Sequence, residues 1–123
     1  MLFRSRAPQI DFSQGSALDL PYSDNSFDMV FTSGVLIHIG PEDLPTALGQ
    51  IHRCAKQHIF GSEYYSPTVA ELNWRQENNL MWKMDYAREY LTLFDDLALV
   101  RERQLPYLDS DNVDSVFLLR KTR

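Results

Sequence analysis

The sequence predicts an α/β fold in which parallel strands joined by a crossover helix end in an antiparallel β-hairpin. Three observations predict it. Phe27, Met29 and Phe31 alternate with Asp28, Val30 and Thr32, so apolar residues occupy most of both strand faces. That is the pattern of a central strand in a sheet covered on both sides. A helical stripe then leads to a second short strand at His58–Glu63, which makes a βαβ unit with parallel strands and a right-handed crossover. Finally, the connection Pro106–Asn112 is too short to hold a crossover helix, so the last two strands must pair antiparallel.

Composition bounds the rest. At 123 residues, 44% hydrophobic and 12% aromatic, the chain is one domain with a substantial core. A net charge of −5 argues against a nucleic-acid binder, whose affinity comes from neutralising phosphates, and leaves a small-molecule or protein partner. The single Cys54 excludes an internal disulfide framework and suits a reducing compartment. No apolar run approaches a membrane span, and MLFRSRAPQ lacks the apolar region of a signal peptide. The expected location is the cytoplasm, with no membrane association. Leu2-Phe3-Arg4-Ser5 spells the translated end of a common sequencing adapter. Residues 1–6 are therefore read as an artefact of assembly.

Taken in order, Gln9–Ser13 reads as a strand with Ile10 and Phe12 on one face. Gly15–Tyr22 is a loop closed by Pro21, and Ser23–Ser26 is a dense turn signal. The Phe27 strand ends in Thr32-Ser33-Gly34, small residues that let a ligand approach the backbone at the carboxyl edge of a sheet. Pro41-Glu42-Asp43 opens a helix, since proline suits the first turn and acids complement the dipole. Leu44, Ala47, Leu48, Ile51 and Ala55 form its apolar stripe. Residues 66–79 are polar and irregular, Leu80–Phe94 reads as a helix, and Leu97–Leu105 and Val113–Lys121 are the closing strands. The last of these is apolar on both faces and is expected between neighbours. No internal repeat, low-complexity stretch or linker divides the chain.

Several side chains carry potential chemistry. Thr32, Ser33 and Gly34 sit at the ligand edge, but without the G-x-S-x-G context of a serine nucleophile. His38 follows the same loop and, titrating near neutrality, is a candidate general base; the plainer reading is a histidine packed between Ile37 and Ile39. Glu63, Tyr64 and Tyr65 end the next strand on the same edge, where an acid and two phenols suit a polyhydroxylated acceptor. In the polar stretch and just after it, Trp74 and Trp82 can stack on sugar rings, and Arg75 can pair with a carboxylate, with Lys83 close in sequence. Asp28 lies at the strand's entry end, away from the ligand edge, and is read as structural. His38, His52, His58 and Cys54 make no metal-ligand spacing, so no metal is expected.

Parallel βα units closed by an antiparallel hairpin, together with GSALDLPYSDNSFDMVFTSGVLIHI, resemble the carboxyl-terminal half of class I S-adenosylmethionine (SAM)-dependent methyltransferases, a Rossmann-like family. More narrowly, TSGVLIHI, SEYYSP and WRQENNLMWKMDY are similar to methylases associated with pseudaminic acid biosynthesis. The resemblance implies SAM as cofactor and a small-molecule methyl acceptor, with a nonulosonate sugar intermediate as the narrower reading. It also implies that Gly15, Ser16 and Ala17 contact adenine, with Ser16 where the family usually has an aspartate. Thr32, Ser33 and Gly34 would line the wall beside the sulfonium. The family's first strand, its glycine-rich turn and the acid closing its second strand have no counterpart, and no G-x-G occurs anywhere. The chain is thus expected to be part of such a domain, to bind SAM weakly or not at all by itself, and to self-associate through open sheet edges. Two rival readings stand beside this one. One is a non-catalytic remnant or binding module. The other is a different Rossmann-type nucleotide enzyme such as a dehydrogenase, against which the final hairpin argues.

Overall fold

A strand with no partner cannot satisfy its backbone groups, and that requirement decides which apolar runs of this chain become strands. The computed structural model describes residues 9–73 and 80–123. β1 (Phe27–Ser33) pairs parallel with β2 (Ala55–Tyr64). β2 pairs antiparallel with β6 (Val113–Lys121), which in turn pairs antiparallel with β5 (Leu97–Pro106). The order is β1-β2-β6-β5, so β6 lies inside the sheet as its two apolar faces require. The mixed α/β class and the terminal hairpin are as the sequence predicts.

Helix α1 (Leu44–Cys54) carries Pro45 in its first turn and buries Leu44, Ala47, Leu48 and Ile51 of the expected stripe, with Cys54 closing it because Ala55 already belongs to β2. Its last turn is tied to the far edge of the sheet. The His52 ring stacks on Phe94 at 4.0 Å between centroids, and its Nε2 lies 2.8 Å from Asp96 Oδ1. Burial raises the Asp96 carboxyl, but the His52 hydrogen bond and charge outweigh it and hold the group below its ordinary value. His52 is therefore a packing and ion-pair residue. Helix α2 (Tyr86–Leu93) starts at Asp85, whose carboxylate accepts from the Arg88 amide at 3.2 Å. It buries Tyr86, Ala87 and Tyr90. Among the described residues no helix is long and apolar enough to cross a membrane.

Four expectations are corrected. Gln9–Ser13 is not a strand: it joins no ladder among the described residues, and Ile10 is exposed. β1 is an edge strand rather than a central one. Phe27, Met29 and Phe31 are 41%, 49% and 64% exposed, so only its Val30 and Thr32 face is covered. Leu80–Phe94 is not one helix: Leu80–Lys83 forms strand β4, and α2 begins only after the Asp85 cap. The partner of β4 is β3 (Ala70–Asn73), inside the stretch read as irregular, and together they make a two-stranded antiparallel sheet. Leu72, Met81 and Trp82 of this small sheet pack on the core, and that burial outweighs the helical spacing of the sequence.

Candidate functional site

The site begins where β1 stops. Ser33 pairs with Ser62 across the ladder, and the Gly34 amide donates to the Ser62 carbonyl at 3.0 Å. Gly34 has φ +65°, a turn that a side chain would strain. The chain then winds into a 3₁₀ turn, Leu36–His38, with Leu36 and Ile37 buried. The turn is anchored from β2. Glu63, 1% exposed, accepts the Val35 amide on Oε2 at 3.3 Å and those of Leu36 and Ile37 on Oε1 at 3.0 and 3.4 Å. Burial pushes the Glu63 carboxyl above its ordinary value, and the nearby Thr32 hydroxyl and the three amides oppose that without reversing it. Thr32 Oγ1 is itself buried, with no hydrogen bond of good geometry among the described residues. Tyr86 holds the turn from the other side, its hydroxyl lying 3.1 Å from the Trp82 carbonyl and 3.4 Å from that of Leu36.

Two pockets flank this strand end. The first, about 260 Å³, is walled by the loop Ser13–Ala17 and Leu20–Tyr22 on one side and by Val30, Thr32 and Val35 on the other. Its loop is held from α1. Gln50 Oε1 accepts the Leu20 amide at 3.0 Å. Arg53 donates to the carbonyls of Leu20 and Tyr22, to Asp24 and to Gln50. Arg53→Ala is expected to release this wall without unfolding the core. Hydrogen exchange at the Leu20 amide should rise about tenfold, the worth of one to two lost hydrogen bonds, while amides of β2 and β6 keep their protection. Unchanged exchange at Leu20 would show that Arg53 does not hold the loop.

The second pocket, about 160 Å³, is smaller and polar, lined by Ser33, Gly34, Ile37, Ser62, Glu63, Tyr64, Tyr107 and Asp114. Tyr107 and Asp114 come from the β5–β6 hairpin and were not read as site residues from the sequence. The signal was present: an antiparallel β6 must start at the edge where β2 ends, and Asp114 is the ladder partner of Tyr64. A larger hollow of about 410 Å³ lies on the sheet between Phe60, Leu105, Val116 and Leu118. Its walls are mostly apolar and it holds none of the predicted site residues, so the two pockets at the strand ends are the stronger candidates.

The predicted residues thus divide. Gly15, Ser16, Ala17 and Thr32 meet in the first pocket. Ser33, Gly34, Glu63 and Tyr64 meet in the second. Tyr65 is half-buried beside it, its amide donating to the Val113 carbonyl at 2.7 Å, and Lys83 reaches Asn112 Oδ1 at 2.6 Å. His38 is exposed at the end of the 3₁₀ turn and lines neither pocket. Trp74 and Arg75 lie outside the described residues.

Comparison with known proteins agrees with this geometry. Residues 2–58 match the family model of a methyltransferase domain. Over 49 residues the chain is 39% identical to an uncharacterized methyltransferase of Synechocystis sp., covering 40% of this chain and 23% of that protein. In structure it is similar to the 1,6-didemethyltoxoflavin-N1-methyltransferase of Burkholderia thailandensis, solved with 1,6-didemethyltoxoflavin and S-adenosylhomocysteine. There the TM-score is 0.80 at 18% identity, over 98% of this chain and 56% of that one. It is also similar to the [4+2]-cyclase SpnF, with a TM-score of 0.70 at 16% identity over 98% of this chain and 58% of the other. The chain therefore spans about a quarter of the curated relative and little more than half of these two structures. Methyltransferase-like in sequence over residues 2–58, the chain has the Rossmann-like fold of the class I SAM-dependent methyltransferases.

Proposed function

We propose that the chain is the carboxyl-terminal portion of a SAM-dependent methyltransferase acting on a small-molecule acceptor. The observation that carries this reading is the placing of two pockets at the end of β1, a loop-walled one and a smaller polar one. The first suits a nucleoside. The Ser16 hydroxyl accepts the Leu18 amide at 3.1 Å, which leaves a lone pair to accept from an exocyclic amine, between apolar Leu20, Val30 and Ile51. When bound, SAM supplies an electrophilic methyl group. The chain's own residues orient and enclose: Gly15, Ser16, Ala17 and Thr32 on the donor side, Ser33 and Gly34 at the junction, Tyr64 on the acceptor side. Positioning of this kind accounts for much of the catalysis of a transfer between two bound groups. His38, on the turn after Gly34 and outside the lining of both pockets, is the candidate general base. Glu63 contributes by holding that turn, since its carboxylate already accepts three amides.

The narrower reading is a nonulosonate sugar intermediate as acceptor. It rests on the likeness of TSGVLIHI, SEYYSP and WRQENNLMWKMDY to the pseudaminic acid methylases, on Tyr64, Tyr65 and Lys83 as hydroxyl-binding groups, and on the residue types of Trp74 and Arg75 in the sequence. A non-catalytic module is the second reading, favoured by the fold's occurrence in a protein named as a cyclase and by the free edge and exposed face of β1.

An NMR titration with S-adenosylhomocysteine tests the cofactor side directly, even if binding is weak. Shifts confined to Gln14–Tyr22 and Val30–Val35 at up to millimolar ligand are expected. Absence of localised shifts would remove SAM from this chain's function. Localised shifts without methyl transfer, in a protein restored with its upstream coding sequence, would favour the non-catalytic module.

A further inference from the structure

The polar pocket has a chemical bias that none of the relatives' names describes. Tyr107 follows β5, and its amide closes the hairpin on the Asn112 carbonyl at 3.0 Å. Its hydroxyl donates to both oxygens of Asp114, at 3.1 and 3.0 Å. The Tyr64 ring meets the Tyr107 ring edge-on at 5.8 Å. Burial and the Asp114 carboxylate push the Tyr107 phenol up to about 12, so it keeps its proton and acts toward Asp114 only as a donor. Asp114 is thereby fixed in orientation with about half of its acceptor capacity left over, since a carboxylate has about four lone-pair sites.

The rest of the lining points the same way. Glu63 is the other ionisable acid there, and its oxygens are engaged by the 3₁₀ turn. Ser33, Ser62 and Tyr64 add hydroxyls. No cationic side chain is among the lining residues, and Lys83 is bonded to Asn112. The volume, about 160 Å³, is the liquid share of about five waters, room for one ring or its polar edge.

We propose that Asp114, oriented by Tyr107, is the specificity-determining group of this pocket and selects an acceptor that presents N–H or O–H donors and carries no negative charge there: an amine or a polyol edge rather than a carboxylate. This rests on reading the pocket as the acceptor side of the transferase. It also orients the narrower sugar reading, because a nonulosonate would have to enter by its hydroxyls or amino group with its carboxylate turned away.

The test uses three probes of one shape, glucosamine, glucose and glucuronate, titrated into the whole chain and read by NMR at Ser33, Tyr64, Tyr107 and Asp114. The expected order of affinity is glucosamine, glucose, glucuronate. Asp114→Asn should reduce the preference for glucosamine over glucuronate about tenfold, the worth of one charge-assisted hydrogen bond. Tyr107→Phe, which leaves the carboxylate in place, should weaken all three while keeping the order. Equal or preferred binding of glucuronate, an order unchanged in Asp114→Asn, or no shifts at these residues would overturn the proposal. The S-adenosylhomocysteine titration separates the two readings. Nucleoside shifts without the sugar preference reject this inference alone, and the sugar preference without nucleoside shifts rejects the methyltransferase reading alone.

Discussion

Gly61→Ala should destabilise the protein by about 3 kcal/mol, at the upper end of overpacking costs. A Cβ on Gly61 would lie 2.7 Å from two carbons of the Phe117 ring and closer still to a third. Gly61 and Phe117 are ladder partners on β2 and β6, so backbone hydrogen bonds hold the two positions together and neither can back away. Phe117 cannot swing out either. It is 1% exposed and packs against the Tyr90 ring, 6.0 Å between centroids. The neighbouring residue is Ser62, which accepts the Gly34 amide, so displacement here also moves the junction between the two pockets. Chemical denaturation measures the effect. A double-mutant cycle with Phe117→Leu identifies its cause, because the smaller side chain should relieve part of the added methyl's cost and the two changes should not add. Strict additivity would mean that the ring is not what excludes the methyl.

Glu63→Ala is the second large effect, again about 3 kcal/mol, because it leaves three amides of the 3₁₀ turn without their acceptor in a buried place. The collapse should be local first, with loss of exchange protection at Leu36 and Ile37 preceding that of β2. A loss under about 1 kcal/mol would mean that water replaces the carboxylate, and that the turn does not depend on it. Glu63 also has a pH signature whose sign is opposite to that of an ordinary surface ion pair. Its folded-state pKa is raised by burial above the usual 4.5, so the folded chain binds this proton before the unfolded chain does. The associated stability is complete below 4.5 and is lost as pH rises through the higher folded value. Acidifying from neutrality toward 4.5 should therefore stabilise the wild type relative to Glu63→Gln, which cannot titrate. Asp96 runs the other way. Its carboxyl is held low chiefly by His52, so its contribution is present above the ordinary carboxylate range and fades as pH falls through its lowered value. Comparing the stability–pH curves of Glu63→Gln and Asp96→Asn separates these slopes.

Both residues were visible in the sequence, yet neither role was. Glu63 stood at a strand end beside two tyrosines and read as an acceptor ligand, and Gly61 lay within the short strand His58–Glu63 with nothing to mark it. A carboxylate facing open space and one accepting three amides look the same in a sequence. The difference is set by Val35, Leu36 and Ile37, 26 to 28 positions earlier. Tyr107 and Asp114 were missed for a related reason. Tyr107 lies in a connection that reads as a loop and Asp114 at the start of the last strand, and only the register of β6 against β2 carries them to the ligand edge.

Local patterning, by contrast, was enough for the architecture. The stripe of α1 and the terminal hairpin are short-range facts: residue spacing decides which face of a helix is apolar, and the length of residues 106–112 decides whether a crossover can exist. The same reasoning failed at Leu80–Lys83 and at Gln9–Ser13 because strands exist only in pairs. Ala70–Asn73 supplied a partner for one, and the other joins no ladder among the described residues. On the same ground, the two-faced apolar pattern of β1 tells what that strand is suited to meet, and the structure tells that only one face is met here. By itself, then, the sequence determined the fold class and the order of its main elements. Tertiary structure alone decided which polar groups remain free to bind and which hold the scaffold, because that division depends on partners brought together by long-range pairing.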